Sequence, residues 1–205
     1  MSHLLEVCNE LLGLYRERGF SPEFWAEPLN ALTNASFLIA AFFAWDFASR
    51  RRVATRTTNA LLSLAGVIGF GSFFFHTIPN QFTMWLDIVP IALFQVLFLW
   101  LVSSKMLALS RVASAAIVVG VVGSSFALFP VHEPLNGSLF YLPSLLAMLT
   151  IGYVWAKRTN FEPYLLVAAA CCFLLAVTAR SMDKEVPWHF GSHFLWHVMN
   201  GVVVY

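Results

Sequence analysis

The chain has 205 residues, 59% of them hydrophobic and only 11% charged, with a net charge of +1 and a mean hydropathy of +0.73. That composition lies outside the range of soluble domains and reads as an integral membrane protein; near-neutrality and the lack of a long basic run argue against nucleic acid as a partner. At ~20 residues per span plus short connections, the length accommodates about seven membrane helices, so the expectation is an all-α, seven-transmembrane bundle forming one domain over residues 1–205.

Residues 1–28 form an N-terminal segment carrying Glu6, Glu10, Glu17, Glu23 and Glu27 against Arg16 and Arg18, with a Gly19-Phe20-Ser21-Pro22 break. It is acidic and amphipathic, unlike a basic stretch ahead of an apolar core, and reads as a short interfacial helix and turn rather than a signal peptide. The first span is expected over residues 29–47, stopped by Arg50-Arg51-Arg52. Glu27, Asn30 and Asn34 fall at i, i+3 and i+7 on its leading face. Such a stripe should face protein, where it either bonds between helices or binds an ion.

The second span, 58–77, ends with Ser72 and His76 one turn apart, and the third begins near residue 83 with Asp87 one turn inside and Pro90 in its first turns. The fourth, 111–129, has no internal charge, and its Gly120-x-x-Gly123 pair suits close helix contact. Spans five to seven fall at 137–155, 163–179 and 189–205, the last containing His193-Phe194-Leu195-Trp196-His197. Cys8 and the adjacent Cys171 and Cys172 form no disulfide framework. Lys and Arg number four on the N-terminal side (Arg16, Arg18, Arg180, Lys184) and eight on the other. The positive-inside rule then puts the N-terminus outside and the C-terminus in the cytoplasm.

This topology brings the end of span two and the starts of spans three and seven to one membrane face. His76, Asp87 and His193 share a depth there, with Ser72 and His197 one turn deeper. A lone membrane histidine is most simply an interhelical hydrogen-bonding group, and a lone serine bonds its own backbone. Two imidazoles at i, i+4, joined by a third and by a carboxylate, read instead as a metal centre. Three neutral imidazoles suit Zn2+ and leave its fourth position open, the pattern of a catalytic site. Zinc polarises carbonyls and lowers the pKa of water to ~7. Asp87 would orient or deprotonate that water, and Ser72 would donate to the developing oxyanion or fix the geometry around the metal. Trp196 and the Phe residues of span two are candidates to line an acyl groove, although such runs are most simply packing. His189 reads as interfacial, with His3 and His132 solvated.

Taken together, Trp25-Ala26-Glu27-Pro28-Leu29-Asn30-Ala31-Leu32-Thr33-Asn34, Ser72-x-x-x-His76, Asp87 eleven residues on, and His193-x-x-x-His197 resemble the alkaline ceramidase family. The likeness is to its bacterial members, within a superfamily of seven-span hydrolases that also includes the adiponectin and progestin receptors. It implies that His76, His193 and His197 bind zinc, that Asp87 is the base and that Ser72 assists at the oxyanion. The implied reaction is hydrolysis of the amide of a ceramide-like membrane lipid to a sphingoid base and a fatty acid. It also implies an inner-membrane location, multi-pass, with the active site near the periplasmic side. Eukaryotic members bind calcium through an acidic segment beginning Asp-Trp-Cys-Glu; the matching Leu14-Tyr15-Arg16-Glu17 keeps the Glu and loses the Asp, leaving Glu17 and Glu27 as the Ca2+ candidates.

Rival expectations share these residues. A lipid ester hydrolase would use the same zinc and Asp87, and a seven-span receptor or sensor would hold the zinc for structure. A metal transporter would want charged or His residues along the deep halves of spans four to six, and a retinal protein a lysine inside span seven. Neither feature is present.

Overall fold

The computed structural model describes residues 11–131 and 134–205. Cys8, His3, Glu6, Glu10 and His132, together with the interfacial helix expected at the N-terminus, lie wholly or partly outside them. Over the described residues the chain is all-helical, without strands. Helices α1 (Pro28–Thr33) and α2 (Ala35–Arg50) follow one another across Asn34, whose backbone is itself helical. Pro28 stands in the first turn, where its missing N–H would have had no partner.

Helix α3 (Arg56–Thr77) starts on Thr55, whose hydroxyl accepts from Thr58 N at 3.1 Å. It is joined to α4 (Gln81–Leu101) by only Ile78, Pro79 and Asn80. A reciprocal cap makes so short a turn possible: the Asn80 side chain accepts from Thr83 N and the Thr83 hydroxyl accepts from Asn80 N, both at 3.0 Å. The last turn of α3 and the first of α4 are thereby held side by side. A π-helical turn, Val102–Met106, prolongs α4. Helices α5 (Arg111–Leu128), α6 (Leu142–Arg158), α7 (Leu165–Ser181) and α8 (His193–Val204) follow, with 3-10 turns at Pro134–Tyr141 leading into α6.

Each helix from α2 onward packs on the next, and α8 returns to pack on α2, so the chain closes a ring of helices in sequence order. One apolar cluster, Leu99, Val102, Leu107 and Ile151, fills the α4–α6 side; another, Leu145, Phe173, Ala176 and Trp196, ties α6 and α7 to α8. Five helical segments are long and apolar enough to cross a membrane: Pro28–Arg50, Arg56–Thr77, Gln81–Met106, Arg111–Leu128 and Leu135–Arg158. Helix α7 is apolar but 17 residues long, and α8 has 12. Large apolar side chains such as Phe42, Phe43, Val112 and Val119 are exposed on the outside. Surface of that kind fits a membrane protein.

Two local expectations fail. Among the described residues a Cβ at Gly120 or Gly123 would meet open space, so this pair mediates no helix contact there. The close approach occurs at Gly71, where an added Cβ would run into the Leu86 carbonyl of α4. The last helix also begins at His193 rather than near 189, because residues 183–192 are taken up by turns organised around Asp183.

Candidate metal centre

His76 ends α3, and His193 and His197 occupy the first turns of α8; all three are 1% exposed. Each offers a ring nitrogen within 4.8 Å of the others, a group that could hold a metal ion. Their ring centroids are 5.1 Å (His76–His193), 4.8 Å (His76–His197) and 4.7 Å (His193–His197) apart. The choice of nitrogen is constrained from behind. His76 Nδ1 lies 2.6 Å from Glu27 Oε2, and His197 Nδ1 lies 3.0 Å from the Thr33 hydroxyl. A carboxylate behind an imidazole fixes its tautomer and ring orientation and strengthens the opposite nitrogen as a ligand. That opposite nitrogen, His76 Nε2, is buried without a hydrogen-bond partner, and so is His193 Nδ1. Buried orphan nitrogens are costly unless something occupies them, and a metal ion is what three converging imidazoles fit.

Glu27 is the hinge of this arrangement. Its Oε2 meets His76 and accepts from Asn30 Nδ2 at 2.9 Å, while Oε1 is ion-paired with Arg18 Nε at 2.5 Å. Burial pushes its carboxyl up, but the charge of His76 and the bonds from His76, Asn30 and Arg18 outweigh that and hold it below the usual carboxylate range. The Glu27, Asn30 and Asn34 stripe therefore faces protein, with all three buried; only Glu27 reaches another helix, through His76, while the Asn30 and Asn34 side chains donate within their own helical stretch, to Glu27 Oε2 and the Asn30 carbonyl. Arg18 is fully buried as well. Besides Glu27 it donates to the carbonyls of Ser21 and Glu23, at 2.9 Å each, and to the carbonyl of His76 itself at 2.7 Å. The cation that Glu27 meets in this structure is thus a guanidinium. Glu17, the other carboxylate considered for calcium, accepts from Leu29 N and Asn30 N at 2.8 and 2.9 Å, capping α1. Burial pushes Glu17 above its ordinary value, partly offset by those two bonds.

Asp87 and Ser72 meet across the contact that Gly71 permits. The Ser72 hydroxyl lies near enough to the Asp87 carboxylate to stabilise its charge, and His76 is within electrostatic reach of the same group. Ser72 and Asp87, the candidate pair read from the sequence, therefore lie on neighbouring helices with Asp87 in electrostatic reach of His76. Asp183, fully buried, accepts from the backbone N–H groups of Ser192, His193 and Arg16, each at 2.8 Å. It caps α8 at His193 and pins the N-terminal segment alongside. Gly191 sits at φ +64, a left-handed conformation that suits glycine, and a Cβ there would strike the Asp183 carboxylate.

Arg18, Asp183, Tyr15 and Arg180 lay outside the sequence reading of function. The Tyr15 ring stacks on His193 at 3.9 Å and lies 4.9 Å from His76. Arg180, from the last turn of α7, donates from Nη1 to the Tyr15 hydroxyl at 2.9 Å. Its Cζ also lies 5.5–5.9 Å from the rings of Tyr15, Tyr141 and Trp196. Burial pushes the Tyr15 phenol well above its ordinary value, against the lowering influence of Arg180. Trp196, a candidate for an acyl groove, packs instead in the apolar cluster with Phe173 and over Arg180. His189 is exposed and touches Phe190, away from the cluster.

Fold and site define an all-helical apolar bundle with a buried three-histidine cluster able to hold a metal ion. No protein-family model, curated protein or solved structure matches this chain.

Proposed function

We propose that the protein is a zinc-dependent intramembrane hydrolase that cleaves the amide bond of a ceramide-like lipid, as its resemblance to the alkaline ceramidases implies. In this reading seven helices span the bilayer, with the N-terminus outside, the C-terminus in the cytoplasm and the site near the outer, periplasmic face. The single observation that carries it is the orphaned pair of buried nitrogens, His76 Nε2 and His193 Nδ1, in a histidine cluster backed by a carboxylate. Three neutral imidazoles and no thiolate favour zinc over softer-ligand metals. When bound, zinc supplies Lewis acidity toward a carbonyl oxygen and makes water nucleophilic near neutral pH.

The remaining roles fall to the chain itself. Asp87, beside the cluster and paired with Ser72, takes the proton from the attacking water and returns it to the departing amine. Ser72 holds that carboxylate in place and turns its hydroxyl to the oxyanion when the substrate arrives. Glu27 keeps His76 oriented, and Thr33 does the same for His197.

The test is a metal analysis of detergent-purified protein combined with hydrolysis of labelled ceramides and acyl esters. We expect about one zinc per chain and amide cleavage that is lost with a chelator, restored by zinc, and reduced about 100-fold or more in Asp87→Asn. Ester cleavage alone would redirect the reading to a lipid esterase. Bound zinc with no turnover of any lipid would overturn it in favour of a sensor.

A further inference from the structure

The hydrolase reading leaves one charged group of the site without a task. Arg180 reaches the His cluster through Tyr15, whose ring stacks on His193 and whose hydroxyl accepts from the guanidinium. Among the described residues Arg180 has no ion-pair partner, and its side chain donates one hydrogen bond, to the Tyr15 hydroxyl. Its Nε is buried with no acceptor at all. Asp87 is close enough to exert a charge effect, yet it forms no ion pair with the arginine. The three surrounding rings shield the cation from the apolar interior but accept no hydrogen bond in the guanidinium plane. Tyr15, which accepts from Arg180, still has its own O–H to donate. Two donors, one of them charged, are therefore available at a distance of one aromatic ring from the metal-binding histidines.

We propose that Arg180 and Tyr15 bind an anionic oxygen group carried by the lipid next to the amide, so that among amide-linked lipids the site favours acidic ones, of the N-acyl amino acid type, over those with a neutral headgroup. This rests on the hydrolase reading for the bond that is cut, and on Arg180 alone for the charge. A guanidinium fork matches a carboxylate in shape, and such charge-assisted bonds are the strong ones. The electrostatics point the same way. Arg18 and Glu27 neutralise one another, and Asp183 is satisfied by three backbone N–H groups, so the charge left without an ionic partner beside Tyr15 is that of Arg180. A neutral headgroup would leave Arg180 Nε as it stands, buried and unmatched, whereas a carboxylate satisfies it.

The experiment compares two lipids with the same acyl amide, N-oleoylglycine and N-oleoylethanolamine, which differ only in carboxylate against hydroxyl. Binding is measured by thermophoresis on the full chain in neutral detergent, metal-stripped and zinc-loaded, for wild type, Arg180→Gln and Tyr15→Phe. We expect wild type to prefer the acidic lipid by about tenfold or more in both metal states. The preference should vanish in Arg180→Gln and shrink by about threefold in Tyr15→Phe. Equal binding of the two lipids by wild type, or a preference that survives Arg180→Gln, would overturn the proposal, and the wild-type comparison decides even where the variant does not fold. Arg180-dependent binding of the acidic lipid without hydrolysis of any amide would uphold this inference while refuting the hydrolase reading.

Discussion

Two arginines flank the histidine cluster, and they are used in opposite ways. Arg18 donates four hydrogen bonds, all to protein oxygens, and sits in an ion pair with Glu27. Arg180 donates one side-chain hydrogen bond, to a phenol, and keeps a buried N–H with no acceptor. A buried guanidinium whose donors are matched belongs to the scaffold, because removing it strands every acceptor it serves. One left partly unmatched and screened by aromatic rings is open to a ligand. The cluster is thus rigid on its Arg18 side, where His76 is held through Glu27 and through its own carbonyl, and receptive on its Arg180 side.

The widest separation between the two should appear in stability. Arg18→Ala leaves Glu27 buried without its counter-charge and three carbonyls without donors, and is expected to cost ~3–5 kcal/mol. Arg180→Ala forfeits stacking and one hydrogen bond, about 1–2 kcal/mol. Thermal unfolding of both variants in the same detergent checks this; equal losses would break the contrast. A smaller effect is expected on the metal. Glu27→Gln preserves shape but withdraws the carboxylate behind His76, and zinc affinity measured against a competing chelator should fall about 10–100-fold. Arg180→Gln withdraws a positive charge that acts on His193 and His197 without disturbing the orientation of any histidine, so zinc affinity should hold or rise rather than fall.

The half of the site that was legible in the sequence is the half whose signal is polarity inside an apolar stretch. Ser72, His76, Asp87, His193 and His197 stand out because membrane helices rarely contain such groups, and helical spacing together with alternating topology gathers them at one end. The helices themselves stand over the stretches that hydropathy marked out, for the same reason. Arg18 and Arg180 carry no such signal. Each lies where basic residues ordinarily flank a span, and was counted only toward orientation. Their roles depend on partners distant in sequence, His76 for Arg18 (58 residues) and Tyr15 for Arg180 (165 residues). No local pattern encodes those pairings. The Gly120 and Gly123 pair misled for the converse reason: small residues on a face permit contact without requiring it. At Gly71 a single glycine, undistinguished in sequence, makes the approach that joins Ser72 to Asp87.

The finest test of the rigid side concerns Glu17, which caps α1 through Leu29 N and Asn30 N and so supports the helix start that carries Asn30 beneath Glu27. Burial holds its carboxyl above the ordinary value. A raised acid binds more protons in the folded than in the unfolded chain, so its contribution to stability declines as pH rises from the unfolded pKa through the folded one. Glu17→Gln cannot titrate and retains one acceptor oxygen for the two backbone donors. The wild-type advantage over this variant in unfolding temperature should therefore be largest below the ordinary carboxylate range and shrink as pH rises above it. An advantage that grows with pH would mean that the ionised carboxylate is favoured by folding, as it would be if a cation rather than two N–H groups were its main partner. The same titration with added calcium separates these cases: a calcium-dependent rise in unfolding temperature lost in Glu17→Gln would move Glu17 from the scaffold to the ligand side of the contrast.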